Sequence, residues 1–279
     1  MRPENVTVRR SCGHRPKSTN AVMTIKALIF DVDGTLAETE RDGHRVAFNR
    51  AFADAGLDWH WDPEHYGDLL AVTGGKERML HHWQTIDPIE AQRPDSLGLI
   101  NRLHQQKNCF YSQMVASGSV ALRAGVRRVL FEARDRGYRL GVATTTTPAN
   151  VDVLLRSTLG GEGANLFECI GAGGTVGKKK PAPDIYRWVL RQLELQPAEC
   201  IAFEDSRPGL LSARQAGIAT VITHNGYSCD DAFPDALAVL DGLGEPGSPA
   251  TGVAAGHPWS GVVGIDQILG WVEARSAGP

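Results

Sequence analysis

The stretch ALIFDVDGTLAETE, Ala27 to Glu40, decides the fold. Apolar Ala27 to Phe30 run straight into two aspartates spaced i, i+2, Asp31 and Asp33, then Gly34, Thr35 and further carboxylates. The apolar run reads as a strand over roughly Ile25–Phe30, with the acidic turn at its carboxyl end. A carboxylate beside a low-dielectric interior resists ionisation unless a cation lies close. The turn therefore predicts a bound cation.

Downstream, strands and helices alternate. YRLGVATTTT reads as a buried strand ending at Ala143–Thr144, and LFECIGA, CIAFED, ATVITH and a last LAVLD as further strands. Between them, ALRAGVRRVLFEARDRG puts Leu122, Val126, Val129, Leu130 and Ala133 on one helical face, and PDIYRWVLRQLEL and SRPGLLSARQAG read as helices. This predicts an α/β fold with a doubly wound, mostly parallel sheet, whose ligands lie at the carboxyl ends of the strands.

A helical insert is expected over 39–120. It opens with DGHRVAFNRAFADAG, where Val46, Ala47, Ala51, Phe52 and Ala55 recur at helical spacing and Gly56 stops the helix. The core then comprises 23–38 and 121–245. Residues 1–22 read as a disordered extension, with Met23 opening the folded chain, and 246–279 as a tail: EPGSPATGVAAGHPW as loop, IDQILGWVEA as one short helix.

The totals narrow the function. A chain of 279 residues, 42% hydrophobic and 22% charged, fits one large domain or two unequal ones. A net charge of −3 and 7% aromatics argue against nucleic acid as a partner. No apolar run approaches the roughly 18 residues a membrane span needs. Five scattered cysteines without a C-x-x-C pair read as reduced thiols of a cytoplasmic protein, and oppose a metal site built on sulfur. A monomer acting on a small molecule is expected.

Four polar clusters fall just past four predicted strands or open the following helix: Asp31, Asp33 and Thr35; Thr144 and Thr145; Lys180 in GKKKPAPD; Glu204 and Asp205. Each alone has a commonplace reading: an Asx turn, a strand-end hydroxyl, a solvated basic loop, a helix cap. In a parallel sheet all four share one edge and converge. Clustered carboxylates without His or Cys select Mg²⁺. Lys180 and the Thr144 hydroxyl add positive charge and donors, which makes a phosphoryl-transfer site. In the insert, GGKER offers Lys76 and Arg78 to a second phosphate. Trp59, His60 and Trp61 read as packing inside the insert.

In this order the four motifs resemble the haloacid dehalogenase superfamily of phosphohydrolases, over roughly Ile25 to Leu240, and the insert resembles that superfamily's small helical cap. DGTLAETERDGHRVAFNRAF, TGGKERM, ATTTTPANV, KKKPAPDIY and FEDSRPGL are together similar to the CbbY family, which includes phosphatases for xylulose-1,5-bisphosphate, an inhibitor of RuBisCO. One departure is Thr175 in GAGGTVGKKKP, near which the family often carries an acidic residue.

The resemblance implies roles. Asp31 is the nucleophile and forms an aspartyl-phosphate, while Asp33 is general acid and then base. Mg²⁺ is held by Asp31, the backbone carbonyl of Asp33, Asp205 and, through water, Glu204. Thr144 and Lys180 bind phosphoryl oxygens and Thr145 adds a backbone N–H. Glu38 and His44 contact sugar hydroxyls or the distal phosphate. A β-phosphoglucomutase-like hexose phosphomutase shares these motifs, as do phosphatases for other small sugar phosphates. A non-catalytic protein on this fold would lack Asp31 or Asp33, and a dehalogenase needs neither Asp33 nor Mg²⁺.

Overall fold

Strand β1, Ala27–Phe30, is completely covered on both faces, which explains why its apolar run is unbroken rather than alternating. It pairs in parallel with β2 (Arg139–Ala143) on one side and β4 (Cys200–Glu204) on the other. Outward lie β3 (Cys169–Gly171) beside β2, and β5 (Ala219–Thr223) and β6 (Ala238–Leu240) beyond β4. Two antiparallel strands, β7 (Ala250–Ala254) and β8 (His257–Gly261), complete a sheet of order β3-β2-β1-β4-β5-β6-β7-β8. The chain is described here from a computed structural model covering residues 24–161 and 163–277. The extension expected over 1–22 lies outside the described residues.

Between β1 and β2 the chain forms α1 (Arg45–Asp54), α2 (Pro63–Leu69), α3 (Gly75–Ile86) and α4 (Ser96–Ala116). Then follow α5 (Val126–Asp135), α6 (Pro148–Leu159), α7 (Gly163–Leu166), α8 (Asp184–Gln192), α9 (Arg207–Gln215) and α10 (Ile265–Ala277).

The period-2 geometry of β1 divides its side chains between two cores. Leu28 and Phe30 meet Val129 of α5, Leu154 of α6 and Ile268 of α10. Ala27 and Ile29 meet Val189 of α8 and Ala213 of α9. Phe30 stacks on its register partner Phe203, with centroids 4.4 Å apart. Truncating either ring to Ala would cost about 3–5 kcal/mol. On the α8 side the strands carry Ala27, Ala143 and Ala202, and a Cβ on Gly141 would lie 2.9 Å from Val189 Cγ1. Small side chains there let the helix settle onto the strands that carry the site.

The helical insert has its own core of Phe48, Phe52, Trp61, Tyr66, Met79, Ile100 and Leu103. Trp61 is buried, Trp59 half-buried on its edge, and His60 exposed. No helix among the described residues is long and apolar enough to cross a membrane.

The tail differs from its sequence reading. EPGSPATGVAAGHPW is not all loop: it carries β7 and most of β8, so LAVLD is not the last strand. The connecting residues Ala255 and Gly256 both have positive φ, 48° and 83°, the backbone of a tight two-residue hairpin turn. Ala-Gly is a weaker signal for that turn than Asn-Gly. Gly252 fits because a Cβ there would sit 2.1 Å from the Val239 carbonyl oxygen of β6. The expected terminal helix is α10, whose Trp271 meets Trp259 of β8 edge-on at 5.2 Å.

Candidate active site

The ends of β1, β2 and β4 lie side by side, which brings Asp31, Thr144, Glu204 and Asp205 to one edge. Lys180, from the loop before α8, donates to Asp31 Oδ1 at 2.7 Å and to Glu204 Oε1 at 2.6 Å. The Tyr186 hydroxyl of α8 also donates to Glu204 Oε1. Asp205 accepts from Asn225 Nδ2 at 2.7 Å and from Thr35 Oγ1 at 3.4 Å. Only glycine fits at position 34, where φ is +82° and a Cβ would lie 2.0 Å from Asp205 Oδ2. The D-G step of the opening motif is therefore set by the carboxylate packed against it.

Asp31, Glu204 and Asp205 are all buried, and one oxygen of each lies within 4.8 Å of the others. Lys180 is the cation that Asp31 and Glu204 share, while Arg123 acts on Asp205. Burial pushes Asp31 up to about 7 against the pull of Lys180, with Glu204 and Asp33 adding to the rise. Burial, then Asp31 and Glu204, hold Asp205 well above the carboxylate range. Lys180 is raised because its two carboxylates outweigh its burial. An all-oxygen donor set with excess negative charge fits a divalent cation, which would favour the ionised forms of Asp31 and Asp205.

Asp33 has opposite surroundings. Its carboxylate accepts from Thr39 Oγ1 at 2.6 Å and pairs with His44 Nε2 at 2.9 Å. Behind it, Lys107 Nζ of α4 lies 2.8 Å from His44 Nδ1. A lysine ammonium only donates, so Nδ1 accepts and Nε2 carries the proton given to Asp33. Burial opposes the charge on Asp33, but His44, Thr39 and Lys107 outweigh it and hold the group down at about 2. Burial draws Lys107 down to about 8. A wide turn closed by His44 N–H on the Thr39 carbonyl at 2.6 Å swings the imidazole toward Asp33, a distortion common at functional sites.

The other expected residues divide. Thr144 is buried, its N–H on the Gly171 carbonyl at 2.9 Å and its Oγ1 accepting from Thr146 N–H at 3.3 Å. Thr145 follows it, half-exposed. Lys76 is exposed at the start of α3. Arg78 turns inward instead, donating to the Leu69 carbonyl at 3.1 Å and the Tyr66 hydroxyl at 2.9 Å. Glu38 lies on Arg123 at 3.4 Å. Near Thr175, where an acid was expected, the threonine Oγ1 itself accepts from Ala172 N–H at 3.0 Å.

Several residues of the site escaped the sequence reading: Thr39, Glu40, Tyr66, Lys107, Arg123, Tyr186 and Asn225. Glu40 accepts from the Tyr66 hydroxyl. Lys107 did carry a signal. In α4 the buried positions are Ser96, Ile100, Leu103, Lys107, Tyr111 and Val115, so a lysine occupies an otherwise apolar stripe past the first turn, where an unpaired charge is costly.

Comparison with known proteins agrees with this geometry. Residues 25–217 match the family model for haloacid dehalogenase-like hydrolases. The chain is 46% identical over 243 residues to the CbbY protein of Cupriavidus necator, covering 86% of this chain and 95% of that one. It is 50% identical over 213 residues to CbbY of Rhodobacter capsulatus, covering 76% and 90%. The fold matches, with a TM-score of 0.71 and 41% identity over 78% of this chain and 95% of the other, the crystal structure of an Asp-to-Asn CbbY mutant from Rhodobacter sphaeroides in complex with xylulose-1,5-bisphosphate. The chain belongs to the CbbY family of haloacid dehalogenase-like hydrolases and is a sugar-phosphate phosphatase.

Proposed function

We propose that the enzyme is a Mg²⁺-dependent phosphatase for xylulose-1,5-bisphosphate. The observation that carries a bisphosphate is a cationic cluster where the helical insert faces the core. His104 lies against the start of α3, where a Cβ on Gly75 would be 3.1 Å from its Nε2. Burial, then Lys107, Lys76 and Lys179, push His104 down to about 4. Lys179 is paired with Glu77, which offsets part of that push; the excess of positive charge that remains suits a phosphate dianion. A relative with 41% identity bound xylulose-1,5-bisphosphate.

Asp31, Asp205, Glu204 through water and the Asp33 backbone carbonyl would hold Mg²⁺. Bound there, it neutralises the carboxylates and polarises the phosphoryl group. Asp31 attacks phosphorus, the bond from phosphorus to the sugar oxygen breaks, and an aspartyl-phosphate forms. Lys180 orients Asp31 through Oδ1 and screens it from the incoming phosphate. Thr144 and the backbone after it bind phosphoryl oxygens. Asp33 gives its proton to the departing sugar oxygen, then takes one from the water that cleaves the intermediate. At about 2 it is a carboxylate before substrate arrives. A phosphate dianion beside it raises its affinity for the proton that the first step needs.

The test is phosphate release with Mg²⁺ over pentulose and hexose mono- and bisphosphates. Xylulose-1,5-bisphosphate should give the highest kcat/KM. Lys76→Ala should raise KM about tenfold for the bisphosphate, the loss of about one charge-assisted contact, and much less for a monophosphate. A hexose monophosphate isomerised without phosphate release would overturn the reading, and equal effects on both substrates would remove Lys76 from it.

A further inference from the structure

Arg123 lies in the second connection between the helical insert and the sheet, eight positions past Val115 and outside every motif. Its backbone N–H donates to the Leu36 carbonyl at 2.9 Å, and its neighbour Leu122 bridges to Ala37. The two connections of the insert are thereby pinned together at this residue. Its guanidinium then reaches three more segments. Nη1 donates to the Gly34 carbonyl and to the Thr223 carbonyl at 2.5 Å. Nη2 donates to the His224 carbonyl at 2.6 Å and the Asp241 carbonyl at 3.3 Å. Nε faces Glu38 at 3.4 Å.

These acceptors are not incidental to the site. Gly34 is the residue against which Asp205 Oδ2 packs. His224 precedes Asn225, whose Nδ2 donates to that same Oδ2 and whose Oδ1 is held by the Tyr227 N–H at 2.8 Å. One planar fork therefore fixes both walls of the slot that holds the Asp205 carboxylate. A lysine has the charge but not the fork, and cannot span carbonyls on three segments at once.

We propose that Arg123 is a positioning residue that couples the connections of the helical insert to the placement of Asp205, and so to the affinity of the carboxylate cluster for its cation. On this account Glu38 holds the guanidinium from the other side and is part of the same device. The inference rests on the cation reading of the carboxylate cluster.

The experiment is a thermal-unfolding titration with Mg²⁺, without substrate, on wild type, Arg123→Lys, Asn225→Ala and the double variant. A ligand that binds only the folded state raises Tm once its concentration exceeds its Kd, and the rise then continues logarithmically, so the concentration at which the rise sets in reports cation affinity. That onset concentration should move up about tenfold in Arg123→Lys, the equivalent of about 1.4 kcal/mol. Asn225→Ala should shift it similarly, and the double variant should add little, because the two act through one slot. An Arg123→Lys onset concentration within twofold of wild type, whatever the Tm without Mg²⁺, overturns the coupling. So does full additivity in the double variant. No Mg²⁺-dependent rise in wild type would overturn the cation reading itself, and this inference with it.

Discussion

Asp31 and Asp33 are two residues apart, yet they face two halves of the site with opposite electrostatics. On the sheet side, Asp31 and Glu204 share Lys180 beside the Asp205 carboxylate, and Asp31 is pushed up to about 7. On the helical side, Asp33 has His44 and Lys107 behind it and is held at about 2. The alternation of an extended chain produces the divergence. Side chains at i and i+2 start on one face, but the turn at Gly34 and the wide turn at Glu40–His44 fold the chain back so that His44, with Lys107 behind it, meets Asp33. The protein supplies its own counter-charge on one side and leaves the other short of it. The short side is where a metal and a phosphate fit.

The largest effect that would break this contrast is Asp31→Asn. Turnover should fall at least about 10³-fold, as for loss of a nucleophile. Phosphate release near wild-type rates would remove Asp31 from that role. Next is Lys180→Met. It leaves Glu204 buried with Tyr186 and no cation, so stability should drop by about 3–5 kcal/mol as well as activity. Urea unfolding checks this, and a loss below about 1 kcal/mol would mean the carboxylates are not competing for that lysine.

His44→Gln probes the other half and should act more gently. Burial opposes the charge on Asp33 and His44 is the chief group sustaining it, so removing His44 raises Asp33 toward the ordinary carboxylate range near 4. The acid limb of the kcat–pH profile should move up, and kcat fall about 10–100-fold. An unmoved limb would separate His44 from the titration of Asp33.

The halves also differed in how legible they were. The sheet half could be read because each residue sits next to the strand that places it: Asp31 after β1, Thr144 after β2, Glu204 and Asp205 closing β4. The helical half could not. Lys107 reaches His44 across 63 positions and Arg123 reaches His224 across 101, distances over which local pattern says nothing. Arg78 was expected to face a second phosphate. It is drawn inward because the Leu69 carbonyl and Tyr66 hydroxyl offer buried acceptors. His44 was expected on the substrate and is spoken for by Asp33 and Lys107. The hairpin β7–β8 was read as loop because Gly and Pro dominate its sequence, although its turn needs the positive φ at Gly256.

The most direct test of the central claim is unfolding free energy against pH, with and without Mg²⁺. Asp31 is raised from 3.8 to about 7 and Asp205 is raised too. Without metal, the native state then holds protons that the unfolded chain has already released. Stability should be greatest below about pH 4 as far as these groups go, and fall by a few kcal/mol as pH rises toward about 7. With Mg²⁺ bound, both carboxylates ionise in the native state and the fall should vanish. Profiles that coincide with and without Mg²⁺ across this range would contradict the account.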